Sequence, residues 1–244
     1  MASRQPQFYK KVVPLNSEQH AGLHIDATNG FAFARDATAV LLTTVEFRKA
    51  SREYPIVFLE DSDNVNPVAL LGLHGSENQY VSEDGKWDAA YIPAYVRRYP
   101  FIPGSGVAEK ELVLCFDEEA PNINTEHGIP LFDEGKHSSF LKRCIHMMDD
   151  YQAQVERTAE FSKRLQEMKI LVPVKADMKL DDVTSSLTGF MVVDLTRLKA
   201  LRPKQLVELV KHDDMAFIYA HMSSIENFNR LSPRQSTAAP EKVS

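Results

Sequence analysis

Apolar positions fall in short unbroken runs through the first half of the chain and at helical spacing through the second. Ile56 to Leu59, Val68 to Leu73 and Leu112 to Phe116 are apolar runs of strand length. They predict buried strands, the first two central and covered on both faces. Phe31 to Arg35 and Ala39 to Leu42 read as further strands, after an extended lead from Phe8. Thr43 and Thr44 can cap a short helix through Val45, Phe47, Ala50 and Tyr54 that Pro55 ends. Asp84 and Gly85, between Asn78 to Val81 and Trp87, give the strongest hairpin signal in the chain. Pro93 opens a helix from Ala94 to Tyr99 that Pro100 stops. Gly104 to Gly106 reads as a mobile turn, and Ile129 to Gly135 as a second hairpin or turn.

The period changes at Ser138. From Ser139 to Met168, Leu141, Cys144, Met148, Tyr151, Val155 and Leu165 line one stripe of a helix about 30 residues, or roughly 45 Å, long. Thr158 and Ser162 predict a narrow or solvated stripe in its second half, and Glu160 and Arg164 a pair on its exposed side. Val172 to Leu180 alternates with period two, and Leu187 to Asp194 supplies a partner strand. Three helices follow over Thr196 to Leu201, Pro203 to Lys211 and Asp214 to Arg230, the last with Met215, Ile218, Met222 and Ile225 as its core stripe. The fold class is therefore α+β. A mixed or antiparallel sheet occupies the N-terminal half, with a long helix and a helical C-terminal part packed on it. Residues 1–231 read as one domain, with a sub-division near residue 137 as the alternative, and 232–244 as a disordered polar tail.

Composition narrows the function classes. With 244 residues, 43% hydrophobic and 25% charged, the chain resembles an ordinary globular protein. A net charge of −6, from 28 Lys and Arg against 34 Asp and Glu, disfavours nucleic-acid partners, which are held by excess cations. No apolar run approaches the roughly 20 residues of a bilayer span, so membrane insertion and a permease role are not expected. The polar stretch from Met1 to Phe8 lacks an apolar signal region. Cys115 and Cys144, the only two cysteines, read as buried free thiols. A cytoplasmic location is the expectation.

Candidate chemistry is sparse. His24-Ile25-Asp26 matches half of the two-histidine, one-carboxylate triad that holds Fe(II) in non-haem oxygenases. His127, His146 or His221 would have to supply the second histidine; the plainer reading of His24 is a surface residue near a strand end. Asp117, Glu118 and Glu119 could hold a cation or form a solvated turn. Arg97, Arg98 and Tyr99, with Trp87, Asp88, Tyr91 and Tyr95 just upstream, mix cations and rings as interface hot spots do. The same residues would also suit a partly buried aromatic cluster. Glycine-rich phosphate loops, nucleophile elbows and paired-cysteine motifs are lacking, and Gly72 to Gly75 is too short to cradle a phosphate.

Several segments together resemble the SapC family, named for surface-layer-associated protein C of bacteria. They are Tyr54 to Val57, Pro67 to Leu73, Asn78, Trp87-Asp88, Tyr91 to Ala94, Arg97 to Phe101 and Leu131 to Asp133, and, in the second half, Tyr151, Gly189-Phe190, Val192 to Asp194 and Ile218 to His221. The resemblance implies a Gram-negative accessory protein linked to surface-layer export or to TonB-dependent nutrient uptake. It brings no catalytic residues with it.

The reading that follows is a non-catalytic interaction protein without a cofactor. Its partner surface would lie at Trp87, Asp88, Tyr91, Tyr95, Arg97, Arg98 and Tyr99, and its partner would be a protein. The alternative is an Fe(II)-dependent accessory oxygenase using His24, Asp26 and His221. A small-molecule carrier would instead show an apolar pocket with a few convergent polar groups. The long helix offers a seam for a homodimer, although Thr158 and Ser162 make it a poor one.

Overall fold

The computed structural model describes residues 6–231 apart from 27, 29, 63, 73–76, 106–111 and 181–182. Most of Gly72 to Gly75 and the whole of 232–244 thus lie outside the described residues. Strands β1 (Val12–Pro14) and β2 (His24–Ile25) come first. Ala32–Ala34 then form a 3-10 turn instead of the expected strand. Alternating phenylalanines in so short a run do not separate strand from helix. Distant anchors decide: the Phe31 N–H donates to the Gly85 carbonyl, and the Phe33 ring stacks on Tyr99 at 4.1 Å.

β3 (Ala39–Leu41) is followed by the expected cap. Glu46 accepts from the N–H and the hydroxyl of Thr43, both at 2.9 Å, which starts a 3-10 turn leading into α1 (Phe47–Ala50). β4 (Ile56–Asp61) and β5 (Asn64–Leu70) are the expected buried strands. The Asp84-Gly85 turn closes a single bridge, Val81 to Trp87, and no longer ladder. α2 (Ala94–Arg97) begins just after Pro93.

β6 (Phe101–Ser105) and β7 (Leu112–Asp117) pair antiparallel, so Gly104 lies in a strand and not in a mobile turn. A Cβ at position 104 would stand 2.5 Å from Sγ of Cys115; the missing side chain lets the two strands close. Gly104→Ala is expected to cost about 1–3 kcal/mol of stability by overpacking. Much of that should return in a Cys115→Ala background, as read by urea denaturation; an equal cost in both backgrounds would contradict the contact.

β8 (Ile123–Asn124) and β9 (Ile129–Pro130) flank β2, and β10 (Phe132–Asp133) turns into β11 (Lys136–His137). Positive φ at Glu134 and Gly135 meets the demand of a two-residue hairpin loop. α3 (Ser139–Glu167) starts where Ser138 accepts from the Leu141 N–H. β12 (Leu171–Leu180) and β13 (Val183–Val193) form the expected hairpin, the second strand starting earlier than its apolar run; the side chains that would show the alternation lie outside the described residues from 175 on. α4 (Leu195–Lys199), α5 (Pro203–Lys211), α6 (Asp214–Ser224) and a 3-10 turn over Ile225–Arg230 complete the chain.

The central layer is a five-stranded antiparallel sheet in the order β12-β13-β4-β5-β3. Two three-stranded sheets, β1-β7-β6 and β8-β2-β9, make a second body of strands. α3 ties both together. Its Leu141, Cys144 and Met148 belong to the apolar cluster around Phe101 and Phe116, while Tyr151, Phe161 and Leu165 belong to the cluster under the central sheet.

Three expectations for the helices are corrected by packing. Thr158 and Ser162 are buried, and Val155 is 37% exposed, because the stripe turns toward the 43–46 segment. There the Thr158 hydroxyl accepts from the Thr44 N–H at 2.9 Å and donates to the Gln154 carbonyl at 2.6 Å. Arg164 takes both carboxylate oxygens of Asp214, at 2.6 and 2.9 Å, in place of the expected Glu160 pair. In α6 only Ile218 of the expected stripe is fully buried, and Asp214, His221 and Ser224 are buried beside it.

Candidate functional site

The segment from Trp87 to Tyr99 divides into a buried side and an open side. Trp87 is half-buried, donating its indole N–H to the Tyr54 hydroxyl at 2.8 Å; that hydroxyl in turn donates to the Tyr91 carbonyl. Tyr99 is buried, stacked on Phe33, with its hydroxyl 3.1 Å from Asp117. Tyr95 is buried as well. Asp88 and Arg97 are exposed, and Tyr91 lies between, its hydroxyl donating to Glu46 at 2.8 Å.

Arg97 at the end of α2 and Arg98 as its C-cap meet opposite surroundings, since neighbouring helical positions face different ways. Arg97 points outward, with its Nε–H held by the Ile92 carbonyl at 2.9 Å and its guanidinium 5.9 Å from the Tyr91 ring centre. Arg98 is 6% exposed, its guanidinium 4.2 Å from the centre of Tyr95, 4.9 Å from Tyr151 and 5.9 Å from Tyr9. Three ring faces attract this cation. No carboxylate among the described residues lies within ion-pair distance of either arginine, and the Arg98 Nε has no hydrogen-bond partner. Burial also pushes the Tyr9 and Tyr151 hydroxyls well above the ordinary phenol range, partly offset by the Arg98 charge, so both rings stay neutral.

Two clefts meet at Arg97. The larger, about 510 Å³, is walled by Phe31, Phe33, Val96, Phe101, Phe140 and Cys144, with Arg97 and the exposed Arg143 also lining it. The smaller, about 260 Å³, has mixed walls that include Glu46, Lys49, Arg98 and Asp150, and Arg97 and Met147 line both. Four buried side-chain polar atoms among the described residues have no partner, and three belong to cleft-lining residues: Asn122 in the larger, Arg98 and Gln154 in the smaller. Unsatisfied buried groups are rare in folded proteins, so their gathering here marks the region.

Sequence reading missed the contribution of α3. Phe140, Arg143, Met147 and Gln154 recur at intervals of three, four and seven beside the core stripe. That second, mixed stripe was the available signal.

The expected iron ligands are not assembled. His24 has Nδ1 3.0 Å from the Gly22 carbonyl. Asp26 accepts from the N–H and hydroxyl of Thr28, which hold its carboxyl below the usual range, and faces His127 at 3.4 Å. His146 pairs with Asp150 on the outer face of α3. His221 does not join them: its Nε2 accepts from the Val193 N–H at 3.0 Å and its Nδ1 donates to the Ile56 carbonyl at 2.8 Å. No group of three His, Cys, Asp or Glu side chains at metal-binding separation occurs among the described residues.

The Asp117 cluster is an anchor. Asp117 is fully buried and accepts from the N–H groups of Lys10 and Lys11, while Glu118 pairs with Lys11 at 2.6 Å. Cys115 and Cys144 are both free and buried, and burial pushes the Cys144 thiol up to about 11, far from the reactive thiolate range.

Among the described residues no helix is long and apolar enough to cross a membrane. No curated protein and no solved structure matches the chain. A family model described as SapC matches residues 15–231, through the cleft-bearing segments and most of the chain, and on that match the chain belongs to the SapC family.

Proposed function

We propose that this protein is a non-catalytic accessory protein that works by recognition, with the ridge at Arg97 as its recognition face. We take that role to lie in surface-layer export or TonB-dependent uptake, the setting that the family resemblance implies. The observation that carries the reading is Arg97 itself: an exposed cation without a carboxylate partner among the described residues, standing between an apolar cleft of about 510 Å³ and a smaller one with mixed walls. A protein segment that seats an aromatic or aliphatic side chain in the larger cleft and lays an adjacent carboxylate on Arg97 satisfies both features. Arginine and buried aromatic anchors are the usual carriers of interface energy.

Selection from a random peptide library displayed on phage tests this. Peptides enriched on the wild-type chain are expected to pair an apolar residue with a neighbouring Asp or Glu. Arg97→Glu should abolish that acidic preference while shifting stability by no more than about 0.5 kcal/mol, as exposed positions do. Enrichment without acidic bias, or unchanged on the variant, would contradict the reading.

A second reading, a carrier of a small amphipathic molecule, is favoured by the volume of the larger cleft, which falls within the range of small-ligand sites. Native mass spectrometry of the purified chain would show it as a bound mass that phage-selected peptides displace.

A further inference from the structure

The smaller cleft poses a separate problem of charge. Lys49, Arg97 and Arg98 all line it. Of the carboxylates that line it, Glu46 is fully engaged: one oxygen accepts from Thr43, the other from the Tyr91 hydroxyl and the Ala94 N–H at 2.8 and 2.7 Å. Asp150 faces His146 on the outer side of α3. Arg98 thus touches no carboxylate among the described residues; it keeps the Tyr9 hydroxyl and three ring faces, and its Nε–H donates to nothing. A buried guanidinium that no carboxylate touches is costly, and a neutral hydroxyl and ring faces recover only part of that cost. Gln154, which also lines the cleft, carries a buried carbonyl oxygen that accepts from nothing.

The cleft is thus lined by a guanidinium with one unmatched N–H and by an amide with an unmatched oxygen. We propose that it is a binding site for a small α-amino or α-hydroxy acid. The ligand's carboxylate lies against Arg98 and its amino or hydroxyl hydrogen is taken by Gln154. Charge-assisted hydrogen bonds to a guanidinium are among the strongest such groups make. The volume, about 260 Å³, admits a molecule the size of one amino acid and not a nucleotide. Tyr91, Tyr151 and Met148 along the walls suit a short apolar body. This site is independent of a partner protein at the larger cleft, and the isolated full chain is sufficient to test it.

The experiment is calorimetric titration of the full chain with L-alanine and L-lactate. Acetate serves as the acid lacking the second donor, L-alaninamide as the molecule lacking the carboxylate, and inorganic phosphate as a plain anion. Alanine or lactate is expected to bind at least about tenfold more tightly than acetate. Alaninamide should not bind, and phosphate should do no better than acetate. Gln154→Ala is expected to remove the advantage of the α-substituted acid over acetate and leave acetate unchanged. Arg98→Lys, which keeps the charge and loses the planar fork, should weaken every carboxylate about tenfold. Should Arg98→Lys not fold, Gln154→Ala decides alone. The proposal is overturned if neither acid binds, if alaninamide or phosphate binds as well as they do, or if Gln154→Ala leaves their advantage over acetate intact.

Discussion

Replacing Asp214 with alanine is expected to lower the free energy of unfolding by about 3–5 kcal/mol, the usual cost of removing one partner of a buried ion pair. Asp214 is fully buried at the first position of α6, and it takes Nε and Nη2 of Arg164 on separate oxygens, so that α6 is fastened to the last turn of α3. The arrangement also holds the Arg164 guanidinium more firmly charged than an arginine in water, through its hydrogen bonds to Asp214. Removing the carboxylate leaves that cation facing protein instead of solvent. Urea denaturation of Asp214→Ala, Arg164→Ala and the double variant gives the comparison. The double variant should be less damaged than the sum of the singles, because the stranded charge is gone. A loss below about 1 kcal/mol for Asp214→Ala would put the pair among ordinary surface salt bridges and contradict its structural role.

His221→Ala should cost about as much, for a different reason. β13 pairs with β4 only at Phe190–Leu59 and Met191–Phe58. Further along, the imidazole replaces the missing ladder bonds, linking the Val193 N–H to the Ile56 carbonyl, while the Ser224 hydroxyl accepts from the Ile56 N–H at 2.9 Å. Because Nε2 accepts, the ring is neutral with its proton on Nδ1. Truncation orphans two buried backbone groups at roughly 1–3 kcal/mol each and opens a cavity as well.

Burial pushes the folded-state pKa of His221 down from 6.5 to about 4. The unfolded chain therefore takes up a proton more readily than the folded one. This contribution to stability is whole above pH 6.5, falls as pH drops toward 4, and is lost below that. A gap of that width is worth roughly 3 kcal/mol. Wild-type chain is expected to lose stability steeply between pH 6.5 and 4, and His221→Gln, which has no proton to gain, should follow a shallower curve. Identical slopes would contradict the assignment.

Elements whose cause is local were legible in the sequence. Ser138 and Thr43 start their helices with their own side chains, Pro93 precedes α2, and the apolar runs of β4, β5 and β7 are strands because they are apolar and short. Features made by distant contacts were not legible. Phe31 and Phe33 alternate as a strand would, yet Gly85 and Tyr99, some fifty or more residues away in sequence, hold them in a 3-10 turn. Thr158, Asp214 and His221 look like solvent positions by type, and each is buried because a partner more than 25 residues away satisfies it. Arg97 and Arg98 were one motif on paper and have opposite surroundings in space. The clefts draw their walls from β2, α2, β6 and α3, so no single stretch carries their signature; only the mixed stripe along α3 hints at them.

The claim that most depends on this arrangement is that Arg97 meets a carboxylate while a neighbouring apolar side chain fills the larger cleft. A double-mutant cycle between Arg97 and the acidic residue of a phage-selected peptide tests it most directly, with calorimetry of wild-type and Arg97→Glu chains against the peptide and its Asp-to-Lys or Glu-to-Lys counterpart. A coupling energy of about 1 kcal/mol or more, with the lysine peptide recovering affinity for Arg97→Glu, is the expected result. Additive losses, with no recovery by the swapped pair, would show that this ridge is not where the protein reads its partner.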